Sequence, residues 1–230
     1  METIKTKETI NTITRKGIHH MVDENNKIKK YKPWLGDMFS FLYDRIMEKS
    51  IFPKKFDGSL NKHFKILKKE FEKVHNKKIL EFAAGSGNAV EFLNNDNIYA
   101  GVDISSGLLR IAKKKFDCYK FLNAELFVVN VCDTPFQDNN FDVAICNLSL
   151  NFFEDIDRFI SELKRVLNED GSFFCSVPIP ENKKSQVKIR GKLYTKKELK
   201  KSFEKHGFIF KPLPYENGVL LYFITKQYDN

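Results

Sequence analysis

A chain of 230 residues that is 42% hydrophobic has the side chains for one sizeable core, which excludes a disordered protein. No apolar stretch approaches the ~20 residues of a membrane-spanning helix, and the opening residues lack the apolar centre of a secretory leader. The formal net charge of +9 is uneven: residues 1–80 carry 19 basic and 10 acidic side chains, residues 81–180 carry 8 and 15, and residues 181–230 carry 12 and 5. The basicity therefore sits in two flanks around an acidic middle. Cys118, Cys132, Cys146 and Cys175 show no C-x-x-C spacing, so a zinc or other metal site is not expected; buried thiols in a reducing, cytoplasmic setting are.

Residues 1–30 form a polar arm with a turn at Glu24–Lys27, part of it expected to be mobile. Residues 31–57 are aromatic, and Phe39, Leu42, Tyr43 and Ile46 fall at helical spacing, as a core-covering helix or a lid. Ser59 suits the N-cap of the next helix, whose stripe is Leu60, Phe64, Leu67, Phe71 and Val74. From there strands are predicted at 78–82, 98–103, 125–131, 141–147, 171–177, 207–212 and 218–225. Helices are predicted at 87–95, 105–116, 155–167 and 195–206. Such alternation implies an α/β, Rossmann-like doubly wound sheet of seven strands. The short turn at Glu216–Gly218 makes the last strand antiparallel. The division expected is an N-terminal arm and lid-like helical extension over 1–57 and a ligand-binding domain over 58–230.

The chemistry concentrates in Lys77–Asn88, which reads as a strand, an acidic strand end and a small-residue turn. Gly85 and Gly87 allow a tight turn and close approach of a ligand. Glu81 at the strand end would repel a pyrophosphate, so a cationic ligand suits it better. Asp103 ends the next strand 22 residues later, the place of a ribose-binding acid, and Asp133 ends a third apolar run. A parallel sheet brings all three carboxylates to one edge.

These segments resemble the class I S-adenosylmethionine-dependent methyltransferases of the quinone and small-molecule type. The first motif is Leu80–Gly87, with Ala83 in place of the first glycine; the second is Gly101–Ser105. A third runs from Asp133 to Val143, one residue short of the family's pattern, and Glu162–Gly171 matches E-L-x-R-V-L-x-x-x-G. The resemblance covers residues 78 to 178 and implies S-adenosylmethionine as cofactor. It places Glu81 at the methionyl ammonium, Ala83, Gly85 and Gly87 under the methionine and ribose, and Asp103 on the ribose hydroxyls. Ile104 and Leu108 would pack on the adenine, Asp133 would accept from its amino group, and the Cys132 amide would lie nearby. Asn147 and Leu148 would line the methyl-transfer region. Alternatively, Asp103 simply caps the following helix.

Methyl transfer from a sulfonium by direct displacement needs proximity and orientation rather than a covalent intermediate. No general base stands out. Asn151 occupies the place where the family often has a histidine, and asparagine can orient but not deprotonate. Tyr43, beside Asp44, matches a family pattern in which the N-terminal segment covers the site; Tyr43, Asn147 and Asn151 are the substrate-side candidates. The five histidines lie outside the motifs and read as ordinary surface or partly buried residues. The block Lys183–Lys201 holds nine basic residues and one acid, but Arg190 is its one arginine. A solvated surface bordering the acceptor pocket is the expected reading; a patch for nucleic acid or an anionic membrane is possible but not favoured. The readings carried forward are a small-molecule methyltransferase, an RNA or protein methyltransferase, and a non-catalytic cofactor-binding protein. Oligomeric state is not legible.

Overall fold

The computed structural model describes residues 4–8, 11–31, 42–182 and 188–228. Among the described residues nine strands form one sheet: β1 (Thr12–Arg15), β2 (Ile18–Met21), β3 (Lys78–Phe82), β4 (Ile98–Asp103), β5 (Ala124–Val128), β6 (Phe141–Asn147), β7 (Leu167–Pro178), β8 (Phe208–Pro212) and β9 (Leu220–Gln227). Their order is β1-β2-β5-β4-β3-β6-β7-β9-β8. β5, β4, β3, β6 and β7 are parallel, and β9 runs antiparallel between β7 and β8. All seven expected strands are present. Strand order reverses at β3, so the crevice beyond the C-terminal ends of β3 and β6 is the topological switch point, where such sheets bind ligands.

The main helices are α1 (Tyr43–Ile46, continuing in π-helical turns over Met47–Lys55), α2 (Leu60–Phe71), α3 (Ser106–Cys118), α4 (Ile156–Val166) and α5 (Lys196–Lys205). Ser59, Ser105, Asp155 and Thr195 cap α2 to α5, each side chain accepting from the amide three residues on. Thr195 and Glu198 complete a capping box. Strand alternation splits the core into two layers. Leu80, Val102, Ala144, Phe173 and Phe223 pack with Phe159 and Leu163 of α4 and Phe203 of α5. Ile79, Tyr99, Leu126, Ile145 and Phe174 pack with Leu67 and Phe71 of α2 and Ala112 and Phe116 of α3. Most of the phenylalanines therefore serve packing, each buried ring contributing about 1.5–3 kcal/mol.

Two departures from the sequence reading matter for the site. The polar arm contains an ordered hairpin: Lys16 and Gly17 both take positive φ (51° and 72°), as a type I′ turn needs, and β2 pairs parallel with β5. Second, the helix expected at 87–95 is a single 3-10 turn, Asn88–Glu91. Asparagine side chains take over the backbone partners there. Asn94 and Asn97 both donate to the Val74 carbonyl (3.0 and 2.9 Å), and Asn97 accepts from the Lys77 amide at 2.9 Å.

Candidate functional site

Glu81 is the fourth residue of β3 and is 3% exposed at the switch point. Its carboxyl accepts a 2.5 Å hydrogen bond from the Tyr99 hydroxyl, delivered by the neighbouring strand β4. Burial pushes the Glu81 carboxyl up to about 8; the bond from Tyr99 opposes this and the charge of Asp103 adds to it. Near neutral pH the carboxyl of the free protein thus holds a proton that a cationic ligand would displace.

Asp103 ends β4. Its Oδ2 accepts from the Gly85 amide at 2.9 Å and its Oδ1 from the Ser105 amide at 2.8 Å. It therefore ties the glycine-rich turn to the start of α3, while the capping of α3 falls to Ser105, which accepts from Leu108. The turn carries three left-handed residues: Ala83 (φ 56°), Gly85 (φ 56°) and Gly87 (φ 76°). The glycines do different work. A Cβ on Gly87 would come within 2.7 Å of Ala112, so this glycine lets the turn lie against α3. A Cβ on Gly85 would meet nothing nearer than 4.0 Å and would fill the space a ligand needs.

Asp133 and Cys132 lie on the loop beyond β5, Asp133 exposed and Cys132 half-buried. The Cys132 amide donates to Asn130 Oδ1 at 2.9 Å, and the Asp133 amide to the Asn130 carbonyl at 3.1 Å. The loop is held from below. Glu162 accepts from the Thr134 amide (2.8 Å) and hydroxyl (2.5 Å), and Arg165 bridges Glu162, the Phe136 carbonyl and Asp138. Burial alone would raise the Glu162 carboxyl, but Arg165 and Thr134 outweigh it and hold it below the usual range. The E-L-x-R segment thus anchors the loop carrying Asp133, a role sequence reading missed although the motif itself was visible. Ile104 is 38% exposed beside this edge, whereas Leu108 is buried. Tyr31 arrives from the N-terminal arm, half-buried against the Asn130 backbone, its phenol raised by burial and by the charge of Asp133.

A cleft of about 40 Å³ is walled by Ala83, Gly85 and Ser86 of the turn together with Glu81, Met47, Leu60, His63, Phe64, Asn147 and Leu148. A larger one of about 620 Å³ opens at the opposite edge of the sheet by Lys77, Asn139 and Asp142, away from the acid-tipped strand ends. Asn147, the last residue of β6, accepts through Oδ1 from His63 Nε2 (3.0 Å) and Ser176 Oγ (2.5 Å). His63 is 1% exposed, so the reading of every histidine as ordinary overlooked a buried one; the available signal was its place within the apolar face between Leu60 and Leu67. Asn151 is buried, donates to the Arg190 carbonyl at 2.7 Å and accepts from the Lys192 amide at 2.7 Å, so it pins the segment after β7 and stands apart from the cleft. Tyr43 opens α1, but its side chain, residues 32–41 of the lid segment and residues 183–187 of the lysine block lie outside the described residues. Asp44 accepts from Ser86 Oγ (2.6 Å) and Lys115 Nζ (2.6 Å), joining α1 to the glycine-rich turn.

This donor and acceptor set fits S-adenosylmethionine: a buried carboxyl for a cationic group, a turn that leaves room at Gly85, and an acid fixed at the end of β4. A family model described as a methyltransferase domain matches residues 80–175. An uncharacterized protein of Methanocaldococcus jannaschii is 31% identical over 126 residues, 55% of this chain and 54% of that protein. A demethylmenaquinone methyltransferase of Thermotoga maritima is 29% identical over 125 residues, 53% of this chain and 51% of that one. The chain thus spans about half the length of these curated relatives. A solved SAM-dependent methyltransferase of Aquifex aeolicus shares the fold, with a TM-score of 0.60 at 16% identity over 79% of this chain and 94% of that one. Strand order, the acid-tipped strands with their glycine-rich turn, and the match over 80–175 all support a class I S-adenosylmethionine-dependent methyltransferase domain.

Proposed function

We propose that the chain transfers a methyl group from S-adenosylmethionine to a small-molecule acceptor by direct displacement. When bound, the cofactor supplies an electrophilic methyl on a sulfonium. Glu81 would hold its ammonium group and Asp103 its ribose hydroxyls, with Ala83, Gly85 and Gly87 beneath. Ile104 and Leu108 would flank the adenine and Asp133 its amino group, with Cys132 alongside. Asn147 and Leu148 would border the methyl. With Glu81 committed to the cofactor and His63 engaged on both ring nitrogens, the acceptor brings its own available electron pair, and the protein contributes orientation and exclusion of water.

The observation that carries the small-molecule reading is the apolar wall of Met47, Leu60, Phe64 and Leu148 beside the glycine-rich turn. The name of the Thermotoga relative makes a quinone-type ring the favoured acceptor class. The lysine-rich flank offers little to bases: Tyr194 is 5% exposed and lies under Lys192 Nζ at 4.6 Å, closed to stacking. A cytoplasmic location goes with this reading.

The test is calorimetric binding of S-adenosylhomocysteine, with Asp103→Ala weakening it by about 1–3 kcal/mol, followed by methyl transfer to a panel of quinone-type small molecules. Tight NADH binding with no response to S-adenosylmethionine would sink it. Sub-micromolar RNA binding that fades from about 50 to 200 mM salt, lost on charge reversal at Lys196, Lys197, Lys200 and Lys201, would replace the small acceptor with a nucleic acid.

A further inference from the structure

Behind the cleft, side chains from distant parts of the chain form one hydrogen-bonded series whose direction can be read. It starts at a backbone. Asn217 Oδ1 accepts from the Ser59 amide at 2.8 Å, and Asn217 Nδ2 donates to the Ser59 carbonyl at 3.0 Å. A backbone amide can only donate and a carbonyl only accept, so this clamp fixes which end of the Asn217 amide is nitrogen. The same Nδ2 donates to the Tyr222 hydroxyl at 3.1 Å. Accepting that hydrogen bond, the hydroxyl directs its own hydrogen to the other partner, His63 Nδ1, at 2.9 Å. Nδ1 is then the acceptor of a neutral imidazole, and Nε2 carries the hydrogen.

Nε2–H meets Asn147 Oδ1 at 3.0 Å, and the Ser176 hydroxyl donates to that same oxygen at 2.5 Å. The Nε2–H donor settles the orientation of the Asn147 amide, and the rotatable Ser176 hydroxyl follows it: the oxygen faces inward, which leaves the NH2 for the cleft that Asn147 lines. His63, Asn217, Ser176 and Tyr222 are all at most 3% exposed, so water does not compete for these bonds.

Building on the methyltransferase reading, we infer that the Ser59–Asn217–Tyr222–His63 series is a positioning device that presents the Asn147 N–H to the methyl acceptor. The acceptor accordingly carries a lone-pair oxygen or nitrogen beside its reacting atom, such as a carbonyl or phenolic oxygen, and a cationic acceptor is disfavoured. A carboxylate at position 147 would satisfy His63 and Ser176 equally well but would offer the cleft no donor. The network therefore explains the amide specifically, beyond packing.

The first measurement needs no ligand. With 15N-labelled histidine, the nitrogen shifts of His63, assigned by difference from His63→Gln, report the Nε2–H tautomer in the free protein; an Nδ1–H or doubly protonated ring overturns the inference. The second uses two probes with S-adenosylhomocysteine bound: 2-naphthol and 2-(aminomethyl)naphthalene. The phenol is expected to move the Asn147 side-chain amide resonances and to bind about tenfold more tightly than the amine, the scale of one neutral hydrogen bond. In Tyr222→Phe the ring is freed to populate both tautomers and the preference shrinks severalfold. Equal binding of the two probes, or an undiminished preference in Tyr222→Phe, overturns the positioning role. Failure to bind S-adenosylhomocysteine would instead fell the methyltransferase reading, with the tautomer result standing on its own.

Discussion

Asp44 and Ser86 lie 42 positions apart in sequence, and their side chains meet at 2.6 Å. Ser86 sits between the two glycines of the ligand-binding turn, and Asp44 sits in the first turn of α1. Lys115 of α3 closes the triangle, donating to Asp44 and to Asn88 at 2.6 Å each. Burial raises the Asp44 carboxyl, but Lys115 and Ser86 more than offset it and hold it below the ordinary carboxylate value. The N-terminal helix is thereby latched to the turn itself. Releasing the latch with Asp44→Ala is expected to quicken hydrogen exchange across residues 43–55 while moving global stability by only about 1 kcal/mol. Unchanged exchange in that segment would show that apolar contacts such as Phe52, and not Asp44, hold it.

The three left-handed residues of the turn separate three effects. Gly87→Ala should destabilise the fold, because its Cβ would press on Ala112 at 2.7 Å. Gly85→Ala should fold with a penalty of about 1–2 kcal/mol for its φ of 56° yet lose cofactor binding, since the added methyl occupies the cleft. Ala83→Gly should leave thermal stability equal or higher, because Ala83 already bears the left-handed strain that glycine lacks. Thermal melts with and without S-adenosylhomocysteine check all three.

Glu81 makes cofactor binding proton-linked. Its carboxyl titrates near 8 in the folded protein against an ordinary 4.5. At pH 7 a cationic ligand should therefore release up to one proton per site. Calorimetry in two buffers of different ionisation enthalpy measures this, and Glu81→Gln should abolish the difference. The same shift lowers stability as pH rises from about 4.5 to 8, since the unfolded chain gives up a proton that the folded one keeps.

His63 acts with the opposite sign. Burial depresses it from 6.5 to about 4, the bond to Asn147 opposing only in part. As pH falls from 6.5 toward 4 the unfolded chain takes up a proton that the folded chain refuses. Stability then drops by up to about 1.4 kcal/mol per pH unit. Urea denaturation of His63→Gln should show a flatter profile through that window; an equally steep one would assign the acid sensitivity elsewhere.

Local pattern carried far in this chain. Glu81 and Asp103 end in place because strand alternation and the small-residue turn are short-range features, and the helix caps were visible as single residues. Asp133 was read as a strand end but lies on a loop, since the Asn130 side chain captures the Cys132 amide and the ladder stops at Val128. The helix after Gly87 was overread because its asparagines bind back to Val74. His63 escaped because its partners, Asn147 and Tyr222, stand 84 and 159 positions away. Asn151 was assigned to substrate by analogy of position, yet its amide serves the segment around Arg190. Contacts across such separations leave no periodic trace.

The N-terminal hairpin bears on solubility. β2 lies along β5, whose Leu126, Phe127 and Val128 are each at most 5% exposed. With the hairpin in place the sheet ends on β1, a strand of four residues, largely exposed and closing on Arg15. Short, charged borders of that kind resist strand addition by other molecules. Removing the first 22 residues would shift the border inward to an apolar, unpaired strand, a ready template for self-association. Light scattering should then rise with concentration for the shortened chain and stay flat for the full one. The arm that looks dispensable in composition is what covers the apolar border strand.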